Sequence, residues 1–342
     1  MNFMLDIQLP KAEKQITHHH KILSVGSCFT EHIGTALADL KFEVLQNPNG
    51  ILFDPSSVSS SLLSYIENKQ YSENDLFHLN EVWQSWQHHS RFSGVDRENV
   101  LSGINESQTA AHQFLKKADW LIITLGTSFS YRLVKEKQTG SDTSAFGAGA
   151  VANCHRAPAQ WFEKYLMPAE ETIESLEQTI QQLFQFNKEI NIIFTISPVR
   201  HIRDGVIENN RSKARLIEAV HHLVNKLDRL YYFPAYELVV DILRDYRFYS
   251  EDMVHPNYLA TDFVLEKFLA TYTSGETSIL IKEVKNLSIA QKHKPSHPTT
   301  GAHKNFLKSS LEKVKILEQQ YPHVNFRKEI DYFSSELDKA YH

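Results

Sequence analysis

The fold of this chain is decided by the stretch Ile22-Leu23-Ser24-Val25-Gly26-Ser27-Cys28-Phe29-Thr30. Its first four residues form a short apolar run, which is typical of a buried strand, and a helical pattern begins near Thr30. Cys28 is therefore expected in a turn between a strand and a helix. The free N–H groups at a helix start favour negative charge, so they lower a thiol pKa and can stabilise an oxyanion. The turn predicts a nucleophile at Cys28, with a small buried hydrophobic cysteine as the alternative.

Further apolar runs follow the first one and alternate with helical patterns. The runs are Phe42 to Leu45, Trp120 to Leu125, Ile192 to Ile196 and Leu230 to Phe233. Strands separated by helices require crossover connections, which predicts a parallel sheet covered by helices. Leu216, Val220, Leu223 and Leu227 form one helical stripe that is expected to pack on this sheet. The predicted fold class is a three-layer α/β/α domain with a parallel sheet, spanning residues 1–275.

Two long insertions interrupt this domain, at about residues 71–117 and 134–163. Insertions of this size in a compact domain are usually lids or binding loops. The second contains the glycine-bearing segments Thr139-Gly140-Ser141-Asp142 and Gly147-Ala148-Gly149, followed by Asn153-Cys154-His155-Arg156. We expect it to be a flexible loop that faces the substrate.

Residues 276–342 are predicted to form a connector and a C-terminal helical hairpin. The connector is Lys292 to Pro298, and the two amphipathic helices beyond it are broken at Tyr321-Pro322. Such a hairpin either docks on the sheet domain or mediates self-association. A homo-oligomer is therefore a possible state.

Composition argues against several classes of function. The formal net charge is -5, and no basic patch interleaved with aromatic residues compensates for it, so nucleic acid is not an expected partner. No apolar run approaches the roughly 20 residues of a membrane span, and the stretch Met1 to Asp6 does not resemble a secretory leader. With only Cys28 and Cys154, reduced thiols are expected. These features predict a cytoplasmic protein without a membrane partner.

A second group of chemical interest is the segment Asp252-Met253-Val254-His255. A carboxylate and an imidazole three residues apart lie on one side of a turn, so Asp252 can hold one ring nitrogen while the other faces a nucleophile. The alternative is that Asp252 caps the helix from Tyr258 to Tyr272 and His255 is an ordinary surface residue. Ser27 is a rival nucleophile, but adjacent side chains at a strand end point to opposite faces, so only one of Ser27 and Cys28 meets His255.

The pair Cys154-His155 raises a metal alternative, in which both residues join Cys28 and His255 around zinc. Two isolated cysteines lack the paired local spacing that identifies zinc sites. We therefore predict neither a metal nor another cofactor.

Arg200 and His201 follow the predicted strand Ile192 to Ile196. Because the carboxyl ends of parallel strands line the ligand crevice, both residues are candidates to bind a carboxylate or phosphate of the substrate. An ordinary ion pair of this cluster with Asp204 or Glu208 is the alternative.

These motifs resemble those of the GSCFA family, which is grouped with the SGNH (GDSL-type) hydrolases. The family is named for its N-terminal motif, which here is Gly26-Ser27-Cys28-Phe29-Thr30, with Thr30 in place of the final Ala. The similarity extends through segments 47–55, 151–155, 197–201 and 245–249. The resemblance implies a flavodoxin-like sheet of the SGNH type.

The resemblance also implies catalytic roles. In the wider superfamily the nucleophile stands two residues after the first glycine, a position that is Cys28 here. The superfamily's terminal Asp-x-x-His matches Asp252 and His255 without adjustment.

The residues expected to bind the oxyanion match the superfamily pattern less completely than the catalytic residues do. The second-block glycine of the superfamily, an N–H donor to the oxyanion, resembles Gly50. The third block, Gly-x-Asn-Asp, is replaced here by Gly126-Thr127-Ser128. Either the Ser128 hydroxyl or the Asn153 amide would have to substitute for the missing asparagine.

The function predicted is an ester or thioester hydrolase or acyltransferase that uses Cys28, His255 and Asp252. The resemblance implies a small acyl ester or an acylated carbohydrate as substrate. The oxyanion and substrate-binding side is predicted to comprise Ser27, Gly50, Gly126, Ser128, Asn153, His155, Arg200 and His201. The alternative is a non-catalytic binding module that keeps a degenerate crevice of the SGNH type.

Overall fold

The computed structural model describes residues 5–134 and 150–341. Its strands are β1 (Lys21–Gly26), β2 (Glu43–Gln46), β3 (Phe77–Leu79), β4 (Val82–Gln84), β5 (Trp120–Leu125), β6 (Phe129–Leu133), β7 (Ala150–Val151), β8 (Phe162–Leu166), β9 (Asn191–Ile196) and β10 (Leu230–Tyr232). Its helices are α1 (Cys28–Asp39), α2 (Pro55–Glu67), α3 (Arg97–Leu115), α4 (Ala169–Phe186), α5 (Val206–Lys226), α6 (Ala235–Glu237), α7 (Tyr258–Tyr272), α8 (Gly275–Lys292), α9 (Gly301–Gln320) and α10 (Arg327–Tyr341).

The central sheet has five strands in the order β10-β9-β5-β1-β2, and β1, β5, β9 and β10 pair in parallel. Numbered along the chain within this sheet, the order is 2-1-3-4-5, which is the flavodoxin-like arrangement. The chain places β2 on one side of β1, and β5, β9 and β10 on the other side. The strand order therefore reverses between β1 and β5, and a crevice opens at the carboxyl ends of these two strands. This crevice is where the Cys28 turn lies, since α1 begins directly after β1.

The strands form where apolar residues can be buried on both faces of the sheet. Every residue of β5 and of β9 is buried. Leu23, Leu121 and Ile192 lie side by side in the parallel register and belong to one hydrophobic cluster with residues of α2, α4 and α5. Near-continuous apolar runs of this kind are typical of parallel strands that are covered on both sides. The predicted α/β class with a parallel sheet and C-terminal helices is confirmed.

The predicted insertion at 71–117 contains regular structure. It holds the antiparallel hairpin β3–β4 and the long helix α3, which begins after the cap residue Asp96. One side of α3 is buried through Val100, Ile104, Ala111 and Leu115. The helix was not predicted because most of its other positions are polar, which leaves the apolar stripe narrow.

The second predicted insertion, 134–163, follows β6 and contains β7 and the start of β8, and these three strands form a small antiparallel sheet with the order β7-β6-β8. The glycine-bearing segments predicted to face the substrate, 139–142 and 147–149, lie outside the described residues.

The chain divides into two compact units. The first unit consists mainly of Lys21–Thr35 and Val44–Lys267. The second unit consists of Pro10–His20, Ala36–Glu43 and Phe268–His342. The second unit contains the two predicted C-terminal helices as α9 and α10, and a further helix, α8, that was not predicted. The domain boundary at residue 275 stays a prediction. Within the described ranges, none of the helices combines the length and apolar character that a membrane crossing requires.

The turn after β1 generates a stability prediction. Gly26 has a φ of 142°, and a Cβ added there would lie 2.2 Å from the Thr124 carbonyl oxygen. Gly26→Ala is therefore expected to lower the free energy of unfolding by about 2 kcal/mol or more, through backbone strain and overpacking. Urea unfolding measures this change.

The matched control is Gly103→Ala in helix α3, where an added Cβ has no atom within 4 Å. This substitution should leave the stability unchanged or raise it by up to about 1 kcal/mol, because alanine favours helix. Equal unfolding midpoints for Gly26→Ala and the wild-type protein would contradict the close approach of β1 to β5.

Candidate active site

The turn that carries Cys28 is fixed by backbone hydrogen bonds on two sides. The Gly26 N–H donates to Asn47 Oδ1 over 2.9 Å, and the Ser27 N–H donates to the Thr124 carbonyl over 3.1 Å. Helix α1 begins at Cys28, whose thiol is half-buried. The sulfur is therefore held at the helix start and at the carboxyl end of β1, as predicted for the turn.

Burial raises the pKa of the Cys28 thiol, and this is the largest influence on it. The N–H groups of Phe29 and Cys28 and the charge of Lys213 act in the opposite direction, while Glu31 raises the pKa further. The expected effect of the helix start is thus present, but burial outweighs it. A thiol in this state needs a base to remove its proton before it attacks.

Ser27, the rival nucleophile, is 2% exposed. Its Oγ is buried and makes no hydrogen bond to the described residues. The half-buried Cys28 is the more accessible of the two side chains.

Asp252 and His255 form the predicted carboxylate–imidazole pair. Asp252 Oδ2 lies 2.7 Å from His255 Nδ1, and Oδ1 accepts the N–H groups of Val254 and His255 at 2.9 and 3.0 Å. These hydrogen bonds, that of the His255 ring first, lower the pKa of Asp252 to about 2. The side chains of Asp252 and His255 are 49% and 47% exposed, so the pair is open to solvent.

Asp252 does not cap the helix that follows it. The N–H groups of Leu259 and Ala260, in the first turn of α7, are accepted by Asn257 Oδ1. The capping alternative is therefore wrong, and the Asp252 carboxylate is committed to its own loop and to His255. Within the described residues, no hydrogen bond joins the Cys28 thiol to the His255 ring.

Arg200 holds the loop that carries this pair. Its backbone N–H donates to the Val254 carbonyl and its guanidinium to the Met253 carbonyl, both over 3.1 Å. The guanidinium also lies 3.9 Å from the centre of the Tyr249 ring. In the structure, Arg200 therefore binds the backbone of the loop and neither Asp204 nor Glu208.

Two of the predicted oxyanion donors are engaged elsewhere. The Gly50 N–H donates to the Asn47 carbonyl over 2.7 Å. Ser128 is completely buried and its hydroxyl donates to Ser212, which also accepts the Ser128 N–H over 2.7 Å. As the structure stands, neither Gly50 nor Ser128 presents a donor to a substrate.

Gly126, Asn153 and His155 also have structural partners. The Gly126 N–H donates to the Phe53 carbonyl over 2.7 Å. Asn153 Oδ1 accepts the His155 N–H, and the buried His155 ring pairs through Nε2 with the Ser85 carbonyl, both over 2.8 Å. Burial lowers the pKa of His155, which supports a neutral ring packed among aromatic side chains.

His201 lies beside Gly126. A Cβ added to Gly126 would be 3.0 Å from His201 Nε2, and this nitrogen is buried without a hydrogen-bond partner among the described residues. Burial, together with the nearby charges of Lys213 and His255, lowers the pKa of His201 to about 3. The ring is therefore neutral near pH 7.

Lys213 is the site residue that the sequence reasoning missed. It is 1% exposed, and its Nζ donates to the carbonyls of Gly126 and Ser197. Burial lowers its pKa to about 7, while Cys28 opposes this shift. The sequence does contain a signal for this residue. Position 213 extends the apolar helical stripe that begins at Leu216, and a lysine stands there where an apolar residue is expected.

The zinc alternative gains no support from the structure. Among the described residues, no cluster of three or more His, Cys, Asp or Glu side chains has the arrangement of a metal site. Burial raises the pKa of Cys154 to about 11, so its thiol is protonated at neutral pH.

Comparison with family models matches two segments of the chain. Residues 21–268 match the GSCFA family and residues 284–339 match the GSCFA domain protein, C-terminal domain. Comparison with curated proteins finds no match.

Solved structures give loose likenesses. One is a carbohydrate esterase family 3 from Talaromyces cellulolyticus, with a TM-score of 0.35, 9% identity, and coverage of 78% of this chain and 99% of that chain. A Clostridium thermocellum family 3 carbohydrate esterase has a TM-score of 0.33, 11% identity, and coverage of 76% and 96%. A lipase from a goat rumen metagenome has a TM-score of 0.34, 12% identity, and coverage of 74% and 98%.

The effect of the Lys213 charge on Cys28 generates a prediction for thiol reactivity. Lys213→Met removes a positive charge that lowers the Cys28 pKa, so alkylation by iodoacetamide should slow several-fold near pH 6.5, where Lys213, with its pKa of about 7, is mostly protonated. The rate is measured against pH, with labelling assigned to Cys28 by mass spectrometry. Lys226→Met, at the exposed end of the same helix, is the control. An unchanged pH–rate curve for Lys213→Met would show that Lys213 does not act on the thiol.

Proposed function

This chain belongs to the GSCFA family, and we propose that it is an ester or thioester hydrolase or acyltransferase that works through Cys28, His255 and Asp252. The observation that carries the proposal is the 2.7 Å contact between Asp252 Oδ2 and His255 Nδ1. This contact holds the proton on Nδ1 and leaves Nε2 as the nitrogen that can accept one. The pair is solvent-accessible, as a proton acceptor for a bound substrate must be.

In the proposed reaction, Cys28 Sγ adds to the carbonyl carbon of the substrate. The thiol proton passes to His255 Nε2 as the sulfur–carbon bond forms, and the carbonyl electron pair moves onto oxygen. When the tetrahedral intermediate collapses, the bond to the leaving alcohol or thiol breaks and His255 returns the proton to it. Water or another acceptor then attacks the acyl group on Cys28 and gives its proton to His255. The sulfur–carbon bond breaks, the acid or the new acyl product leaves, and His255 returns the proton to the Cys28 sulfur.

The charges of the site support this division of roles. The raised pKa of Cys28 keeps the thiol protonated at rest, which makes a general base necessary. The pKa of Asp252, about 2, keeps its carboxylate ionised through the neutral range. A permanent negative charge on Asp252 stabilises the imidazolium that forms when His255 takes the thiol proton.

Arg200 acts in this proposal as a positioning residue. Its contacts with the carbonyls of Met253 and Val254 fix the loop between Asp252 and His255. Arg200 was predicted to bind a substrate carboxylate or phosphate, whereas its contacts favour a role in supporting the loop of Asp252 and His255. The substrate class proposed stays a small acyl ester or an acylated carbohydrate.

The second candidate function is a binding module without catalysis. It is favoured by one observation: the Gly50 and Ser128 donors are committed to Asn47 and Ser212. A module of this kind would bind an acyl compound without turning it over. Turnover by the Cys28→Ala and His255→Ala variants separates the two candidate functions.

The test is turnover of short acyl esters. Asp252→Asn keeps the shape of the side chain but no longer stabilises the imidazolium, so kcat is expected to fall about 10²–10⁴-fold with little change in KM. Cys28→Ala and His255→Ala should remove turnover that depends on the site. Asp262→Asn, an exposed carboxylate of α7, is the control and should keep full activity.

Turnover that survives unchanged in Cys28→Ala and His255→Ala would refute the mechanism. Saturable binding of an acyl ester by the wild-type protein, without turnover and without protection of Cys28 from alkylation, would favour the binding module.

A further inference from the structure

We propose that His201 Nε2 donates a hydrogen bond to the oxyanion that forms during acyl transfer, an inference that rests on the function proposed for Cys28. A thiolate that adds to a carbonyl leaves negative charge on the carbonyl oxygen, and donors fixed in advance around that oxygen lower the barrier. The N–H groups of Cys28 and Phe29 lie close to the sulfur. A further donor must come from another part of the crevice, because the Gly50 N–H and the Ser128 hydroxyl are engaged elsewhere.

The second observation concerns the Nε2 atom of the His201 ring. Its Nε2 is buried and has no hydrogen-bond partner among the described residues. Because no group in the described part of the chain uses this nitrogen, its hydrogen-bonding capacity is available to a substrate oxygen. The His201 ring packs on the Phe53 ring, with the two ring centres 5.0 Å apart. The backbone N–H of His201 donates to Asn209 Oδ1 over 2.8 Å and fixes the main chain from which the ring projects.

The register of the sheet places Gly126, beside which this nitrogen lies, just beyond the end of the strand that neighbours β1. Gly26 pairs with Thr124 across β1 and β5, so Gly126 and Cys28 each stand two residues beyond the last paired positions. Adjacent strands are about 4.8 Å apart. His201 Nε2 lies against the Cα of Gly126, because a Cβ there would approach it to 3.0 Å. The absence of a side chain at Gly126 is what leaves room for the ring.

The ring is suited to donate without losing its proton. Its low pKa makes it neutral near pH 7, as burial and the charges of Lys213, His255 and Lys164 oppose protonation. A neutral imidazole with its hydrogen on Nε2 is a donor at that atom. In the reaction, the sulfur–carbon bond forms, the carbonyl electron pair becomes the oxyanion, and the thiol proton goes to His255. The hydrogen bond from His201 strengthens as the charge develops and weakens when the carbonyl is restored.

Two substitutions at His201 test the proposal. His201→Phe keeps a planar ring but removes the donor, and His201→Gln supplies an amide donor of comparable reach. Each variant is assayed for kcat and KM with a short acyl ester, and for the rate at which iodoacetamide alkylates Cys28. Alkylation forms no oxyanion, so it reports the thiol alone. His222→Phe, at an exposed position of α5, is the matched control, and circular dichroism verifies the fold of each variant.

We expect His201→Phe to lower kcat about 10²–10³-fold, with KM and the alkylation rate close to wild type. His201→Gln should recover at least about tenfold of that loss, because its amide can donate to the same oxygen. His222→Phe should change none of these values.

Three outcomes would overturn the inference. His201→Phe could keep the wild-type kcat, its alkylation rate could fall in step with kcat, or His201→Gln could be no better than His201→Phe. The second outcome would mean that His201 only shapes the Cys28 turn. Failure of the proposed function is seen separately, because the wild-type protein would then show no ester turnover that Cys28→Ala and His255→Ala remove.

Discussion

The structure depends on the close approach of the end of β1 to the backbone of β5. Gly26 has no room for a side chain, because the Thr124 carbonyl occupies the place of a Cβ. The Ser27 N–H pairs with that same carbonyl, and the chain then turns directly into helix α1. This contact places the first residue of the helix, Cys28, at the point where the strand order reverses. A crevice at that point is where parallel α/β sheets bind their ligands.

Charge in the site is distributed unevenly. Asp252 is ionised, exposed and paired with His255, while the thiol of Cys28 and the ring of His201 are driven by burial toward their neutral forms. Lys213 has a pKa of about 7 and lies close enough to Cys28 for each to shift the other's pKa. Environments that push the pKa values of neighbouring groups apart assign acid, base and nucleophile to different residues. In this account Cys28 and His201 are neutral in the resting site beside the ionised Asp252, and the sulfur takes part in charge transfer only when its proton leaves.

Secondary structure and contacts that depend on a local sequence pattern were predicted correctly. The strand Trp120 to Leu125 was predicted to the residue, because a continuous apolar run leaves few other structures. The spacing of Asp252 and His255 predicted their contact, which depends on four consecutive residues alone. Helix α3 was missed because its buried face is narrow. The pairing of Ser128 with Ser212, the position of Lys213 and the free nitrogen of His201 depend on contacts between distant segments, and no local pattern reports them.

The central claim is that Cys28 carries the acyl group during turnover. The most direct measurement is rapid acid quenching of the wild-type protein with a short acyl ester, followed by mass spectrometry of its peptides. The account predicts one acyl group on the peptide that contains Ser27 and Cys28, located on Cys28 by fragmentation and released by hydroxylamine as a thioester is. Steady turnover of the ester with the acyl group on Ser27, or with no acylated peptide at all, would contradict it.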